Sequence, residues 1–122
     1  MNNLINWIEI PAKDIKRAIA FYKAILGVDI HEADMFGTKI GLFPSDGSNV
    51  SGAIVQGDDY VPSTDGIVAY LNGGDDLQTV LDKVGASGGK VIVPKTRISP
   101  DMGYFGMFID CEGNRMAVHS MG

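Results

Sequence analysis

The segment WIEIPAKDIKRAIAFYKAILG, residues 7 to 27, decides how the chain folds. It reads as one strand, a sharp turn and one amphipathic helix. Alternation along Trp7-Ile8-Glu9-Ile10 puts Trp7 and Glu9 on one face of the strand and Ile8 and Ile10 on the other. Pro11 has no N–H to give a ladder and ends the strand. Asp14 is suited to cap a helix, because its carboxylate accepts from free backbone N–H groups at the first turn. Ile15, Ile19, Tyr22 and Leu26 then recur at helical spacing and form one apolar stripe. Gly27 supplies the stop, since a left-handed residue costs little there.

Outward from this segment, Val28 to Ala33 reads as a strand and Phe36 to Phe43 as its hairpin partner. Residues 44–49, PSDGSN, form a polar loop, and Gly52 to Gln56 a fourth short strand. Residues 57–65 carry Gly, Pro, Ser and Asp with no apolar period, which marks a linker. From Gly66 the run IVAYL reads as a strand, and Gly73-Gly74-Asp75-Asp76 turns the chain into a second helix. That helix has the stripe Leu77, Val80, Leu81 and Val84 and is expected to stop at Gly88-Gly89. Lys90 to Ile98 is the next strand, with Pro94 at a bulge or an edge. After the loop 99–103, Tyr104 to Ile109 and Arg115 to His119 are strands joined by Asp110-Cys111-Glu112-Gly113-Asn114, a turn by composition.

The order βαβββ thus occurs twice. An offset of 62 residues places Asp14 on Asp76, Ile15 on Leu77, Ile19 on Leu81, Tyr22 on Val84 and Gly27 on Gly89. An offset of 63 places Ala53-Ile54-Val55-Gln56 on Met116-Ala117-Val118-His119. The match is one of pattern, and two unrelated α+β halves are the alternative. The expectation is one α+β domain over residues 1–122, with modules at about 1–57 and 66–122 whose curved sheets enclose a cleft.

The bulk properties exclude several classes. The chain has 122 residues, 45% hydrophobic and 20% charged, which is ordinary for a globular domain. Its net charge is −5 and Lys and Arg nowhere cluster, so neither nucleic acid nor an anionic membrane surface is an expected partner. No apolar run reaches the roughly 20 residues of a membrane span, and the N-terminus lacks the pattern of a signal peptide. A single cysteine, Cys111, allows no intrachain disulfide and fits a reducing cytoplasm. The Lys-Ser/Thr of a phosphate-binding loop is missing after Gly73-Gly74, and no G-x-S-x-G elbow occurs.

Two stretches carry a resemblance to a known family. DIKRAIAFYKAILG is similar to the D-x-x-R-A-x-x-F-Y-x-x-x-L-G of the vicinal oxygen chelate superfamily, and FIDCEGNRMAVHS to its D-P-[DE]-G-N-x-x-E-L ending. That superfamily holds glyoxalase I, extradiol dioxygenases, and fosfomycin- and bleomycin-resistance proteins. The resemblance implies paired βαβββ modules, a cleft open to solvent, and often a homodimer. It does not imply one activity, because fold and function separate on such scaffolds.

Metal-dependent members hold a divalent cation with His, Gln or Glu from the first and last strands of each module. Carried onto this chain, those positions are Trp7, Ile67 and Ala117, with Gln56 the one side chain able to coordinate. The family metal site is therefore expected to be absent. Glu9 and His119 stand two residues beyond Trp7 and Ala117 and so share their faces. Glu9, Gln56 and His119 are candidates to bind a polar ligand, to work as a general acid–base pair through Glu9 and His119, or to hold a displaced metal. Glu9 and His119 pairing across neighbouring strands is the structural alternative.

Trp7 is a candidate stacking wall, with core packing as the commoner role for such a residue. Tyr60, in the linker, is a candidate to cover the cleft or to pack at a dimer interface. His31 reads as an exposed edge residue. Cys111, between Asp110 and Glu112, is a poor thiolate. The expectation is a metal-free cytoplasmic homodimer binding a small molecule in a cleft lined by Trp7, Glu9, Gln56, Tyr60 and His119. A metal-dependent lyase, isomerase or dioxygenase similar to lactoylglutathione lyase, and a purely structural or regulatory domain, are the alternatives.

Overall fold

A computed structural model describes residues 3–35 and 37–122; Phe36, at the start of the expected hairpin partner, lies outside the described residues. The elements run β1 (Trp7–Pro11), α1 (Ile15–Leu26), β2 (His31–Met35), β3 (Thr38–Leu42), β4 (Ser51–Gln56), β5 (Tyr70–Asn72), α2 (Gln78–Val84), β6 (Lys90–Ser99), β7 (Gly103–Ile109) and β8 (Arg115–Ser120). They form two four-stranded sheets, ordered β1-β4-β3-β2 and β5-β8-β7-β6. In each sheet the strand before the helix lies parallel to the last strand of its module, and the other pairs are antiparallel. The two halves are tandem βαβββ modules of one α+β fold.

The opening segment folds as its residues dictate. Asp14 is extended and its side chain accepts from Arg17 N–H at 3.2 Å. Gly27, at φ 65°, closes α1 by donating its N–H to Lys23 O. α1 buries Ile15, Ala18, Ile19, Phe21, Tyr22 and Ile25, while Leu26 is only partly covered. The helix packs over β3 and β4, α2 packs over β6 and β7, and the two helices touch each other. One core results, spanning Ile10 and Ile54 of the first module and Leu81, Phe108 and Val118 of the second. Each such side chain contributes about 1.5–3 kcal/mol on burial.

Close approach of helix to sheet depends on glycine in both halves. A Cβ on Gly41 would stand 2.7 Å from Ile19 Cγ1, and one on Gly106 2.8 Å from Leu81 Cδ1. A side chain there would push Ile19 or Leu81 from its place against the sheet.

Three element boundaries lie three or more residues from the sequence reading. The strand expected at Val28 to Ala33 begins at His31, because Val28 and Ile30 anchor the connection in the core and the ladder with β3 starts at His31↔Leu42. The strand expected from Ile67 is only Tyr70–Asn72; Ile67 is 99% exposed and pairs with nothing. α2 ends at Val84 rather than at Gly88-Gly89, and Gly89 N–H folds back on Val84 O. The Gly-Ala-Ser-Gly run after Val84 has too little helix propensity to continue it. Pro94 lies where expected, in edge strand β6, between register shifts.

Asp110, Glu112 and Asn114 do more than turn the chain. All three are buried. Glu112 Oε1 accepts from Lys13 and Asp14 N–H at 2.7 and 2.8 Å, and its Oε2 from Arg17 Nε at 2.6 Å. Asn114 Nδ2 donates to Pro11 O at 2.8 Å and to Asp110 Oδ2 at 2.9 Å. Tyr22, wholly buried, donates its hydroxyl to Asp110 Oδ2 at 2.6 Å. The turn of one module thus holds the helix start of the other.

Candidate functional site

Each sheet has one face under its helix and one face turned away. In the first sheet Ile10, Ile54 and Gly41 face the helix, so alternation turns Trp7 and Glu9 the opposite way, beside Ala53 and Leu42. In the second sheet Val118 faces the core, and Ala117 and His119 turn away with Met107 and Phe105.

On the open face of the first sheet three sequence candidates meet. Trp7 is 47% exposed, so it is not a core residue, and its Nε1–H reaches Glu9 Oε2 at 3.4 Å. Tyr60 comes in from the linker and donates its hydroxyl to Glu9 Oε1 at 2.8 Å. That hydrogen bond, and then the charge of Glu9, hold the Tyr60 phenol above its ordinary value. The result is an accessible indole beside a carboxylate whose two oxygens are oriented by two aromatic donors. Such a group can stack a planar molecule and accept one of its N–H or O–H groups.

Gln56 is engaged elsewhere. Its Oε1 accepts from Ile15 N–H at 2.8 Å and so satisfies a free donor at the start of α1. Ser120 does the same in the other half, accepting from Leu77 N–H at 2.9 Å. Ile15 and Leu77 are repeat equivalents, so both modules tie the end of their last strand to the head of their helix.

His119 belongs to the second sheet, and its Nε2–H bonds Met102 O at 2.6 Å. A cross-strand pair with Glu9 does not form: the two lie in different sheets with other partners. Glu9, Gln56 and His119 thus share no hydrogen bond among the described residues.

Two cavities stand away from Trp7, Glu9, Gln56 and Tyr60. The larger, about 1170 Å³, lies at the seam of the modules and is walled by Ile8, Ile25, Phe43, Leu71 and Val80. Ile5, Val50, Ile67 and Tyr70, all exposed, also line it. The second, about 920 Å³, is lined by Asn72, Asp75, Met102, His119 and Met121.

Cys111 is half-buried, and its thiol is pushed up to about 12, by burial first and then by Glu112. His31 is exposed on edge strand β2. Among the described residues no three His, Cys, Asp or Glu side chains converge as a metal site. At the positions corresponding to metal ligands, Trp7 is an indole, Ile67 projects into solvent and Ala117 is a wholly buried methyl group. None of these three offers a lone pair to a divalent cation, and Gln56, the fourth, has its Oε1 on Ile15 N–H.

Sequence reasoning passed over Glu112 and Asn114, reading them as turn formers. The available signal was chemical: a turn with three acceptor side chains, in a chain with a helix start in need of acceptors.

The model for the Glyoxalase/Bleomycin resistance protein/Dioxygenase superfamily matches residues 4–118. The chain belongs to that superfamily. A glyoxylase-like domain-containing protein of Didymella fabae is 28% identical over 97% of this chain and 94% of its own length. Among solved structures, a glyoxylase/bleomycin resistance protein/dioxygenase domain from Frankia sp. EAN1pec superposes with a TM-score of 0.74 at 11% identity, covering 98% of each chain. The fosfomycin resistance protein FosX of Listeria monocytogenes gives 0.68 at 17% identity over 98% of this chain and 91% of its own. At these identities the structural likeness concerns the fold. Among the described residues no helix is long and apolar enough to cross a membrane.

Proposed function

We propose that this chain binds a small planar organic molecule on the open face of its first sheet, without a divalent metal. The observation that carries this reading is the Trp7–Glu9–Tyr60 group: an indole 47% exposed, hydrogen-bonded to a carboxylate that a linker tyrosine also holds. A half-exposed tryptophan beside an oriented carboxylate offers a planar face on which a ligand can stack. Tyr60 lies in a loop, so it can swing from Glu9 to admit a ligand and return over it. The working form proposed is a cytoplasmic homodimer. The exposed Ile5, Val50, Ile67 and Tyr70 around the seam support a second copy as their cover.

Trp7 is the one tryptophan of the chain, so its fluorescence reports this site alone. A panel of planar aromatic and heteroaromatic acids, amines and amides is titrated while emission and melting temperature are followed. A binder is expected to quench or shift Trp7, to raise the melting temperature, and to weaken in Glu9→Gln and Tyr60→Phe. Silence of both readouts across the panel overturns the proposal. Stoichiometric uptake of Ni²⁺, Zn²⁺, Mn²⁺ or Fe²⁺ that disappears in Glu9→Gln overturns its metal-free part and favours an enzyme.

A further inference from the structure

We propose that Met102, His119 and Met121 form a binding site for a soft monovalent metal ion, Cu⁺ or its analogue Ag⁺, at the mouth of the smaller cavity. All three residues line that cavity. Both methionines are exposed, at 58% and 60%, whereas the core methionine Met116 is buried.

The local geometry gathers them. His119 lies on β8 with its ring turned from the core, and Met121 follows just past the end of that strand. The facing residue on β7 is Gly103. Its missing side chain leaves room for Met121, whose sulfur lies 3.2 Å from the place a Cβ would take. Met102 immediately precedes Gly103, and its carbonyl receives the His119 ring at 2.6 Å.

That last bond sets the chemistry. A carbonyl oxygen only accepts, so Nε2 carries the proton and Nδ1 of the neutral ring keeps its lone pair. A ring nitrogen held by a backbone carbonyl while the other stays free is the usual support of a metal-bound histidine. The two thioethers then decide the class of ion, because neutral sulfur ligands select Cu⁺ over hard divalent cations. Asp75 also lines this cavity. This site shares no residue with the Trp7–Glu9–Tyr60 group, so either proposal can fail alone.

The test is competition for Cu⁺ between the full-length protein and bicinchoninate, without oxygen and with reductant present. One Cu⁺ per chain is expected. Met102→Leu, Met121→Leu and His119→Ala should each weaken it about tenfold or more. Cys111→Ser should leave it unchanged. Substitution of exposed methionines by leucine preserves shape, and circular dichroism checks the fold.

With Ag⁺, the methyl resonances of Met102 and Met121 should shift in carbon–proton spectra while those of the other methionines stay in place. Failure to take Cu⁺ from the chelator overturns the proposal. So does an unchanged affinity in the methionine variants, loss of binding in Cys111→Ser, or equal affinity for Zn²⁺.

Discussion

Replacing Glu112 by glutamine probes the contact that fastens the second module to the head of α1. The side chain is 1% exposed and receives four donors: Lys13 N–H, Asp14 N–H, Arg17 Nε and, at 3.5 Å, the Cys111 thiol. Hydrogen bonds to a charged group are worth about 1.5–3 kcal/mol and neutral ones about 0.5–1.5. Glutamine keeps an oxygen for the two backbone donors but at neutral strength, so the loss is about 2–3 kcal/mol. Arg17 is exposed, and its share is left to solvent screening. For a chain of this size that loss lowers the melting temperature by about 6–12 °C.

The pH dependence gives a second check. Burial by itself would raise the Glu112 pKa, but Arg17 and the two backbone donors outweigh it and hold the carboxyl below its ordinary value of 4.5. The stabilisation is therefore complete above pH 4.5 and disappears as pH falls through the lower folded-state value. Urea unfolding of wild type and Glu112→Gln is compared near neutral pH and across the acid range in which both still fold. The gap should be widest near neutrality and narrow in acid. A gap under about 0.5 kcal/mol at neutral pH, the scatter of an ordinary surface change, refutes the reasoning. A gap that does not narrow in acid refutes the charge-based part of it.

Gln56→Ala and Ser120→Ala should each cost about 1–2 kcal/mol in urea unfolding, as lost helix-start acceptors do. If Gln56 serves only as a cap, Gln56→Ala will leave the affinity of any Trp7 ligand unchanged. Tyr22→Phe, which removes the 2.6 Å bond to Asp110, should cost about 1.5–3 kcal/mol by the same unfolding measurement. Burial, then the charge of Asp110, keep the Tyr22 phenol well above its ordinary value of 10. Wild-type stability should therefore fall as pH rises beyond 10, and Tyr22→Phe should lack that component. Iodoacetamide should alkylate Cys111 slowly, with a rate still climbing past pH 9 toward about 12; a plateau near 9 would contradict the burial of its thiol.

Whatever depends on neighbours along the chain is legible in the residues alone. Asp14 as cap, the α1 stripe and Gly27 as stop are all local, and each sits where alternation and helical period place it. The doubled βαβββ order followed from two such local patterns in register. Local pattern also misled at Val28 and at Ile67: an apolar alternation looks the same whether it pairs in a ladder, anchors a connection or projects into solvent. Which side chains of the candidate group meet depends on packing between distant segments. Trp7 and Glu9 share a face by alternation, but Tyr60 joins them from a linker 51 residues away. Gln56 was turned from candidate ligand to helix cap by a partner 41 residues distant, and Glu112 from turn former to clamp by one 99 residues distant. A polar side chain has the same character in the sequence whether it meets a ligand or a backbone N–H. Which of the two it meets is fixed when distant segments pack and one unsatisfied donor happens to lie within reach.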